Sequence, residues 1–121
     1  MSTSARPFQP AQRLRHKSEF DLVYRESRRS ADGMFAILAR DSGLTHPRLG
    51  LSVAARIIGT AVERNRIKRV VRESFRLHQD ELPSVDIVVN ARNGAKSATN
   101  LELRRSLEQH WQTVKKKCAR S

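Results

Sequence analysis

The chain has 121 residues, of which 38% are hydrophobic and 30% charged, and this predicts one folded domain around a single modest core. The composition argues against a disordered chain, and no run approaches the roughly 20 apolar residues that a membrane-spanning helix needs. The formal net charge of +12 at pH 7 predicts a polyanionic partner, with nucleic acid as the first candidate.

The N-terminal residues 1–12 include basic residues but no apolar segment, so we expect a flexible arm, no secretory signal and a cytoplasmic protein. The folded domain is expected to span residues 13–117, and a flexible tail is expected at 118–121. The single cysteine, Cys118, has no disulfide partner and no neighbours at metal-ligand spacing. We therefore assign it no role.

The first half of the domain predicts one helix and two strands. The helix begins at the N-cap Ser18, has Asp21 at its third position, and ends near Ser27. The mostly apolar run "GMFAILAR", residues 33–40, predicts a buried strand. The run "RLGLSVA", residues 48–54, alternates and predicts a half-buried strand, and "DSGLTHP" between the two predicts a hairpin loop.

The second half predicts a long helix, a strand and a final helix. The helix covers residues 60–79, and the β-rich run "VDIVVNAR" covers 85–92. The last helix, 98–116, begins with Thr99 and Glu102 at capping-box spacing. The order αββαβα predicts an α/β (α+β) two-layer sandwich, in which helices cover a small mixed sheet of three to four strands.

The long helix 60–79 has two opposite faces when its residues are placed about 100° apart. Apolar residues gather on one side, with a serine and a histidine: Ile67, Val70, Val71, Ser74, Phe75, Leu77 and His78. Cations and one amide gather on the other side, with Arg66 at the edge: Asn65, Lys68, Arg69, Arg72 and Arg76.

Two interpretations of this cationic face compete. A surface helix can simply be charged and solvated, but such faces usually mix acidic and basic residues at i, i+4, and Glu63 and Glu73 lie outside this sector. Unrelieved like charges cost a few tenths of a kcal/mol per pair, whereas arginine binds phosphate bidentately. The pattern favours a phosphate-binding surface.

RNA fits this surface better than DNA, because helices that read the major groove usually belong to all-helical modules. Phe20 and Tyr24, one helical turn apart, could stack on bases, and so could Phe35 on the first strand. Ordinary core packing is the alternative for each of these three aromatic side chains.

The sequence predicts no catalytic residue. The acidic residues are dispersed, and the four histidines lie about thirty residues apart without a metal or dyad motif: His16, His46, His78 and His110. Two alternatives stay open at this point. The chain could be a ribosomal-protein-like structural RNA binder or RNA chaperone without a role in cleavage, or a stand-alone metal-dependent nuclease.

The segment "ERNRIKRVVRESFR", residues 63–76, closely resembles the RNR signature of the bacterial ribonuclease P protein family. That family's long central helix carries Arg-Asn-Arg, then a Lys-Arg pair, then a further Arg. "RLGLSVAAR" before it, "DIVVNAR" after it and the early "SEFDLVY" agree in order and spacing. The resemblance therefore covers nearly everything from 13 to 114.

The resemblance implies a ribosomal-protein-like sandwich with an unusual left-handed βαβ crossover. It also implies a protein that binds a large catalytic RNA and the single-stranded 5′ leader of precursor tRNA. The RNA, with bound Mg2+, would perform the hydrolysis that removes the leader, and the protein would contribute no catalytic residue. Neither a membrane nor an obligatory protein partner is expected.

The matching positions imply two sets of site residues. The RNA-binding set, to which the cationic face adds Arg76, is Arg64, Asn65, Arg66, Lys68, Arg69 and Arg72. The leader cleft is implied to use Phe20, Tyr24, the Asn65 side of the helix, and Phe35 on its floor. Where the family commonly has two basic residues after the second strand, this chain has Ala55 and Arg56, so we expect one phosphate contact fewer there.

Overall fold

The computed structural model describes residues 13–118, and the expected arm at 1–12 and the residues 119–121 of the expected tail lie outside this range. Within this range the chain forms five helices and four strands, with a 3-10 turn directly after the long central helix. In order they are α1 (Lys17–Arg25), β1 (Arg28–Ala31), β2 (Phe35–Asp41), β3 (Arg48–Ser52), α2 (Ala55–Ile58), α3 (Ala61–His78), β4 (Val85–Ala91), α4 (Asn93–Lys96) and α5 (Asn100–Cys118).

The four strands form one mixed sheet in the order β1-β2-β4-β3. β1 and β4 both pair with β2 in antiparallel fashion, whereas β3 runs parallel to β4 and is joined to it through α3. The mixed sheet of the predicted α/β sandwich is therefore confirmed. The left hand of the β3-α3-β4 crossover stays a prediction.

The expected hairpin between β2 and β3 is wrong, because β4 lies between these strands in the sheet. The actual hairpin joins β2 to β1, which the sequence did not predict. β1 has the sequence "RRSA" and three of its four residues are exposed, so no apolar alternation marks it. It is held through backbone pairing to β2, with Arg28 opposite Ala39 and Ala31 opposite Ala36.

The main core lies between the sheet and the two long helices, α3 and α5. α3 buries Ile67, Val70, Val71 and other residues of its predicted apolar face, and the ring of Phe75 meets Trp111 of α5 edge-on at 6.2 Å. Leu77 departs from that prediction because it is 42% exposed. The opposite face of α3 is consequently left at the protein surface.

The other face of the sheet carries a smaller apolar cluster under α1. Leu14, Val23 and Val88 are buried there, and Phe20 and Leu38 pack against them half-buried. With so little apolar contact, α1 needs polar contacts as well to hold its position on the sheet.

The first helix begins two residues earlier than its sequence suggested. His16, not Ser18, is the N-cap, and Glu19 rather than Asp21 occupies the third helical position. Glu19 Oε1 accepts the backbone N–H groups of Arg15 and His16, both at 3.2 Å. These bonds satisfy donors that the first turn of a helix leaves unpaired.

The expected caps of the two long helices are confirmed. Thr60 Oγ1 accepts the N–H of Glu63 at 3.2 Å, and Thr99 and Glu102 form the reciprocal capping box at 3.1 and 2.8 Å. α5 continues to Cys118, which is 5% exposed and belongs to the main core rather than to a tail. Within the described range, no helix combines the length and apolar character that crossing a membrane requires.

Candidate nucleic-acid interface

The outer face of α3 presents cations that no carboxylate of the described residues neutralises. Arg69 and Arg72 are exposed and Lys68 is half-buried. Within residues 13–118, none of these three pairs with a carboxylate. Asn65 is exposed on the same helix. The amphipathic pattern thus gives a surface on which three positive charges remain available to an external anion.

The other members of the predicted RNA-binding set lie in different environments. Arg66 pairs with Glu63 at 3.0 Å and donates to Asn100 Oδ1 at 2.8 Å. Arg64 is half-buried, and its Nε is buried without a hydrogen-bond partner in the described range. Arg76 is also half-buried. Arg66, engaged by a carboxylate, therefore offers less free charge than Lys68, Arg69 and Arg72.

A cleft of about 360 Å³ lies between α1, β3 and α3. Its apolar residues include Phe20 on the α1 side and Leu49 and Leu51 from β3, and Lys68 and Arg72 line it from α3. Two more arginines and a leucine from the segment before α1 complete the lining: Arg13, Leu14 and Arg15. One cavity therefore combines an aromatic ring with cations from two parts of the chain.

A glycine makes room for the aromatic side of this cleft. A Cβ added at Gly50 of β3 would lie 2.6 Å from Phe20 Cζ and 3.1 Å from Leu14 Cβ. Any side chain at this position would push the ring away from the sheet. The glycine in "RLGLSVA" thus serves the placement of Phe20.

Tyr24 lies one helical turn beyond Phe20 and is 49% exposed. Its hydroxyl donates to Asn90 Oδ1 at 2.7 Å, and the Asn90 amide in turn donates to the Ala36 carbonyl at 3.2 Å. The ring is therefore fixed over β4 while much of it stays accessible. Neither Tyr24 nor Asn65, both expected at the leader cleft, is among the residues that line this cavity.

Phe35 does not belong with these residues, and its placement on the cleft floor is wrong. The side chain is fully buried in the main core, where its ring meets His110 of α5 edge-on at 6.5 Å. Because side chains alternate along a strand, the residues of β2 that face α1 are Ala36 and Leu38. The sequence alternation was visible, but it did not indicate which face α1 covers.

A partly buried ion-pair network fixes α1 beside the cleft. Arg48 of β3 binds both carboxylate oxygens of Asp86 on β4 at 2.8 Å, and its remaining nitrogen donates to Glu19 Oε2 at 2.9 Å. Hydrogen bonding to Asp86 raises the pKa of Arg48. Burial raises the pKa of Glu19, but hydrogen bonds from the His16 and Arg15 backbone and from Arg48 outweigh it, so this pKa is lowered.

A second polar cluster joins the β1–β2 turn to α5. Ser106 Oγ donates to Asp32 Oδ2 at 2.6 Å, and Asp32 Oδ1 accepts the N–H groups of Met34 and Phe35, both at 2.9 Å. Burial raises the pKa of Asp32, but these hydrogen bonds and the charge of His110 outweigh it and lower the value to about 2.

Ser30, His110 and Asp32 lie in line, an arrangement that the sequence did not reveal. His110 Nδ1 lies 2.6 Å from Ser30 Oγ, and its Nε2 lies 3.2 Å from Asp32 Oδ2 without hydrogen-bond alignment. The imidazole is 4% exposed beneath the sheet, and the carboxylate already accepts three other bonds. The cluster therefore fits a structural link better than a nucleophile.

The pair at which one phosphate contact fewer is expected, Ala55 and Arg56, lies at the surface. Ala55 is the first residue of α2 and Arg56 the second, and both are exposed. Within residues 13–118 no group of three or more His, Cys, Asp or Glu side chains could hold a metal ion.

The chain matches a family model described as Ribonuclease P over residues 8–115. The ribonuclease P protein component of Methylococcus capsulatus is 46% identical over 114 residues, which cover 94% of this chain and 89% of the relative. That of Pectobacterium atrosepticum is 46% identical over 99 residues, covering 82% of this chain and 83% of the relative.

Solved structures agree with these matches. The RNase P protein of Staphylococcus aureus superposes with a TM-score of 0.80 and 35% identity, covering 87% of this chain and 95% of that one. The RNase P protein of Thermotoga maritima gives a TM-score of 0.76 and 31% identity, covering 84% and 96%. Sequence and fold point to the same family.

Proposed function

Because this chain belongs to the ribonuclease P protein family, we propose that α3 binds the catalytic RNA while the cleft beside Phe20 holds the 5′ leader of precursor tRNA. The chain is the protein component of an endoribonuclease complex; it associates with ribonuclease P RNA and acts in tRNA 5′ processing. The family match favours this role over that of a structural RNA binder with no part in cleavage.

The composition of the cleft is the single observation that carries the leader proposal. Phe20 and two leucines offer apolar surface, and Lys68 and Arg72 stand beside them without carboxylate partners in the described range. Stacking and phosphate contacts hold single strands with little dependence on base sequence, because every base has a flat face and every nucleotide a phosphate. Such tolerance suits a processor of many different precursor tRNAs.

The free cations of α3 support the proposed contact with the catalytic RNA. Phosphates at Lys68, Arg69 and Arg72 would relieve the repulsion between neighbouring like charges. A nearby phosphate oxygen would also satisfy the unpaired Nε of Arg64. Asn65, exposed on the same face, is positioned to contribute a neutral amide. RNA binding in this manner should weaken steeply as salt rises.

The hydrolysis itself is assigned in this proposal to the RNA and its bound Mg2+. The described residues do not fit a protein-held metal, since they bring together no group of three suitable ligands. The protein side chains neutralise phosphates, orient the leader and bring the substrate to the RNA, and a cytoplasmic location follows from these RNA partners.

Replacing Phe20→Ala tests the leader cleft. We expect the reconstituted enzyme to lose about 1 to 3 kcal/mol of binding for precursor tRNA, with little change for mature tRNA, because only the precursor has a base to stack there. Equilibrium binding of both tRNAs gives the two losses directly. Equal losses for precursor and mature tRNA would place Phe20 in a purely structural role.

The matched control is Val23→Ala on the same helix. Val23 is fully buried under α1 but does not line the cleft, so its loss lowers stability without touching the proposed leader site. Thermal denaturation shows whether the two variants are destabilised to a similar degree. If Val23→Ala shifts precursor binding as strongly as Phe20→Ala, the effect belongs to the stability of α1 and not to stacking.

A further inference from the structure

We propose that the protein has a second RNA-binding surface at the β1 edge of the sheet, where it contacts phosphates of the ribonuclease P RNA. This β1-edge surface consists of four exposed cations from three elements: Arg25, Arg29, Lys116 and Lys117. It is separate from α3 and from the leader cleft, so it goes beyond the proposed function and depends only on the association with the RNA.

The sheet order separates the two cationic surfaces. The leader cleft includes Leu49 and Leu51 of β3, at one side of the sheet, whereas β1 is the outermost strand at the other side. Three strand spacings of about 4.8 Å put the two sides roughly 14 Å apart. α5 packs against β1 and β2, and the Lys117–Arg29 hydrogen bond places its last turn beside β1. An RNA segment bound along α3 would not occupy the β1 edge.

The charges of the β1-edge surface are not balanced locally. Arg28 lies 3.7 Å from Asp41 and Arg40 lies 3.2 Å from Glu26, so these neighbours cancel in pairs. In the described part of the chain, Arg25, Arg29, Lys116 and Lys117 have no carboxylate partner. The surface therefore keeps four positive charges in excess, as a phosphate-binding surface requires.

A hydrogen bond of Lys117 shows that the fold itself brings positive charges close together at the β1 edge. Lys117 Nζ donates to the Arg29 carbonyl at 2.6 Å, which holds an ammonium group against a strand that carries two adjacent arginines. Charged side chains on an edge strand discourage a further strand from pairing there. The chemistry consequently favours a polyanion over a protein strand as the partner at this edge.

Helix dipoles offer a competing explanation for part of the surface. Arg25 lies in the last turn of α1, and Lys116 and Lys117 lie in the last turn of α5, where a cation interacts favourably with the helix end. This explanation does not reach Arg29, which lies in a strand. It also predicts no change in RNA affinity when the cations are removed, and the two explanations are thereby distinguishable.

The first experiment compares the salt dependence of RNA binding. The double variant Arg29→Gln/Lys116→Gln keeps the Lys117 contact and removes two charges from the surface. We expect the slope of log affinity for ribonuclease P RNA against log salt to flatten by about 1.5 units, since each phosphate neutralisation contributes about 0.7 to 0.9. An unchanged slope would overturn the proposal.

The matched control is Arg104→Gln/Arg105→Gln. These arginines are also exposed and lie on α5, near its N-terminal end, so the control removes the same charge from the same helix outside the β1 edge. We expect its slope to stay close to that of the wild type. If the salt slope of the control flattens as much as that of the test variant, the effect comes from overall net charge. That result would overturn the assignment of a β1-edge surface.

The second experiment locates the contact in the assembled particle. A photoreactive group is attached through Lys116→Cys, in a Cys118→Ser background whose melting temperature has been checked, and the same group is attached through Arg105→Cys for comparison. We expect RNA crosslinks from position 116 and not from position 105. Absence of crosslinks from 116 would overturn the β1-edge surface while leaving the Phe20 result, and so the leader cleft, unaffected.

Discussion

At the scale of single residues, the arginines of α3 differ in how much charge they can offer to RNA. Arg69 and Arg72 are exposed and have no carboxylate partner within the described residues, whereas Arg66 is engaged by Glu63 and Asn100. The same residue type on the same helix thus occupies two electrostatic environments. An engaged arginine displaces fewer counterions from the RNA on binding, because its charge is already partly neutralised by the carboxylate.

This difference gives a prediction for the salt dependence of RNA binding. Arg69→Ala and Arg72→Ala should each weaken binding to ribonuclease P RNA and flatten the salt slope by about 0.7 to 0.9, because each removes one phosphate neutralisation. Arg66→Ala should flatten it less. Filter binding across a range of salt concentrations measures all three slopes. If the three variants behave alike, the ion pair with Glu63 does not persist in the complex.

Asp32 supports a prediction about pH. The Asp32→Asn variant should be about 1 to 3 kcal/mol less stable than the wild type at pH 7, because buried hydrogen-bond donors lose a charged acceptor. The depressed pKa makes this contribution complete above the unfolded value near 3.9 and progressively lost as pH falls towards about 2. Thermal denaturation at several pH values should therefore show that the stability difference between the wild type and Asp32→Asn becomes smaller below pH 4. A stability difference that does not change with pH would contradict this prediction.

At the scale of elements, α1 depends on polar contacts more than the long helices do. In the described range its apolar cluster has three buried residues, while Arg48 joins Glu19 of α1 to Asp86 of β4. Asp86 is 4% exposed, so its charge relies on Arg48 for compensation. The network holds the helix turn that carries Phe20, and this makes Arg48 a positioning residue for the cleft.

Arg48→Gln should therefore affect both stability and substrate discrimination. We expect a loss of about 3 kcal/mol in the free energy of unfolding, because a buried carboxylate is left without its partner. The preference for precursor over mature tRNA should also shrink, and Arg48→Lys should restore part of it. Denaturant unfolding and tRNA binding measure the two effects.

Arg40→Gln provides the matched control for Arg48→Gln. Arg40 pairs with Glu26 just after the other end of α1, in a contact whose carboxylate is 59% exposed. Its removal should cost no more than about 1 kcal/mol and leave discrimination unchanged. Should Arg48→Gln lower stability while discrimination stays at the wild-type value, the network would stabilise the fold without positioning the cleft.

At the scale of the whole molecule, the formal net charge of +12 opposes compaction in the absence of RNA. Anions that screen or bind the cationic faces should therefore stabilise the free protein. We expect the melting temperature to rise with sodium chloride and to rise further with phosphate at equal ionic strength. Calorimetry of the RNA-free protein tests this, and identical melting temperatures in both salts would argue against specific anion sites.

Local sequence patterns determined the two long helices, the strands β2, β3 and β4, and the outer face of α3. The 3.6-residue periodicity separated Ile67, Val70 and Val71 from the cations opposite them, and the caps at Thr60 and Thr99 marked where two helices begin. These features depend on neighbours within one or two turns, so the sequence carries them directly. The RNR segment by itself also indicated the family.

Only the tertiary structure decided how distant segments meet. Alternation put Phe35 on one face of β2, but which helix covers that face depends on the order of strands, and β4 enters between β2 and β3 from far along the chain. Arg48 and Asp86 are 38 residues apart, and their pairing leaves no local pattern. Side-chain periodicity fixes which residues share a face, whereas long-range packing selects the element that covers each face. For this reason Phe35, which the sequence placed on the cleft floor, belongs to the main core.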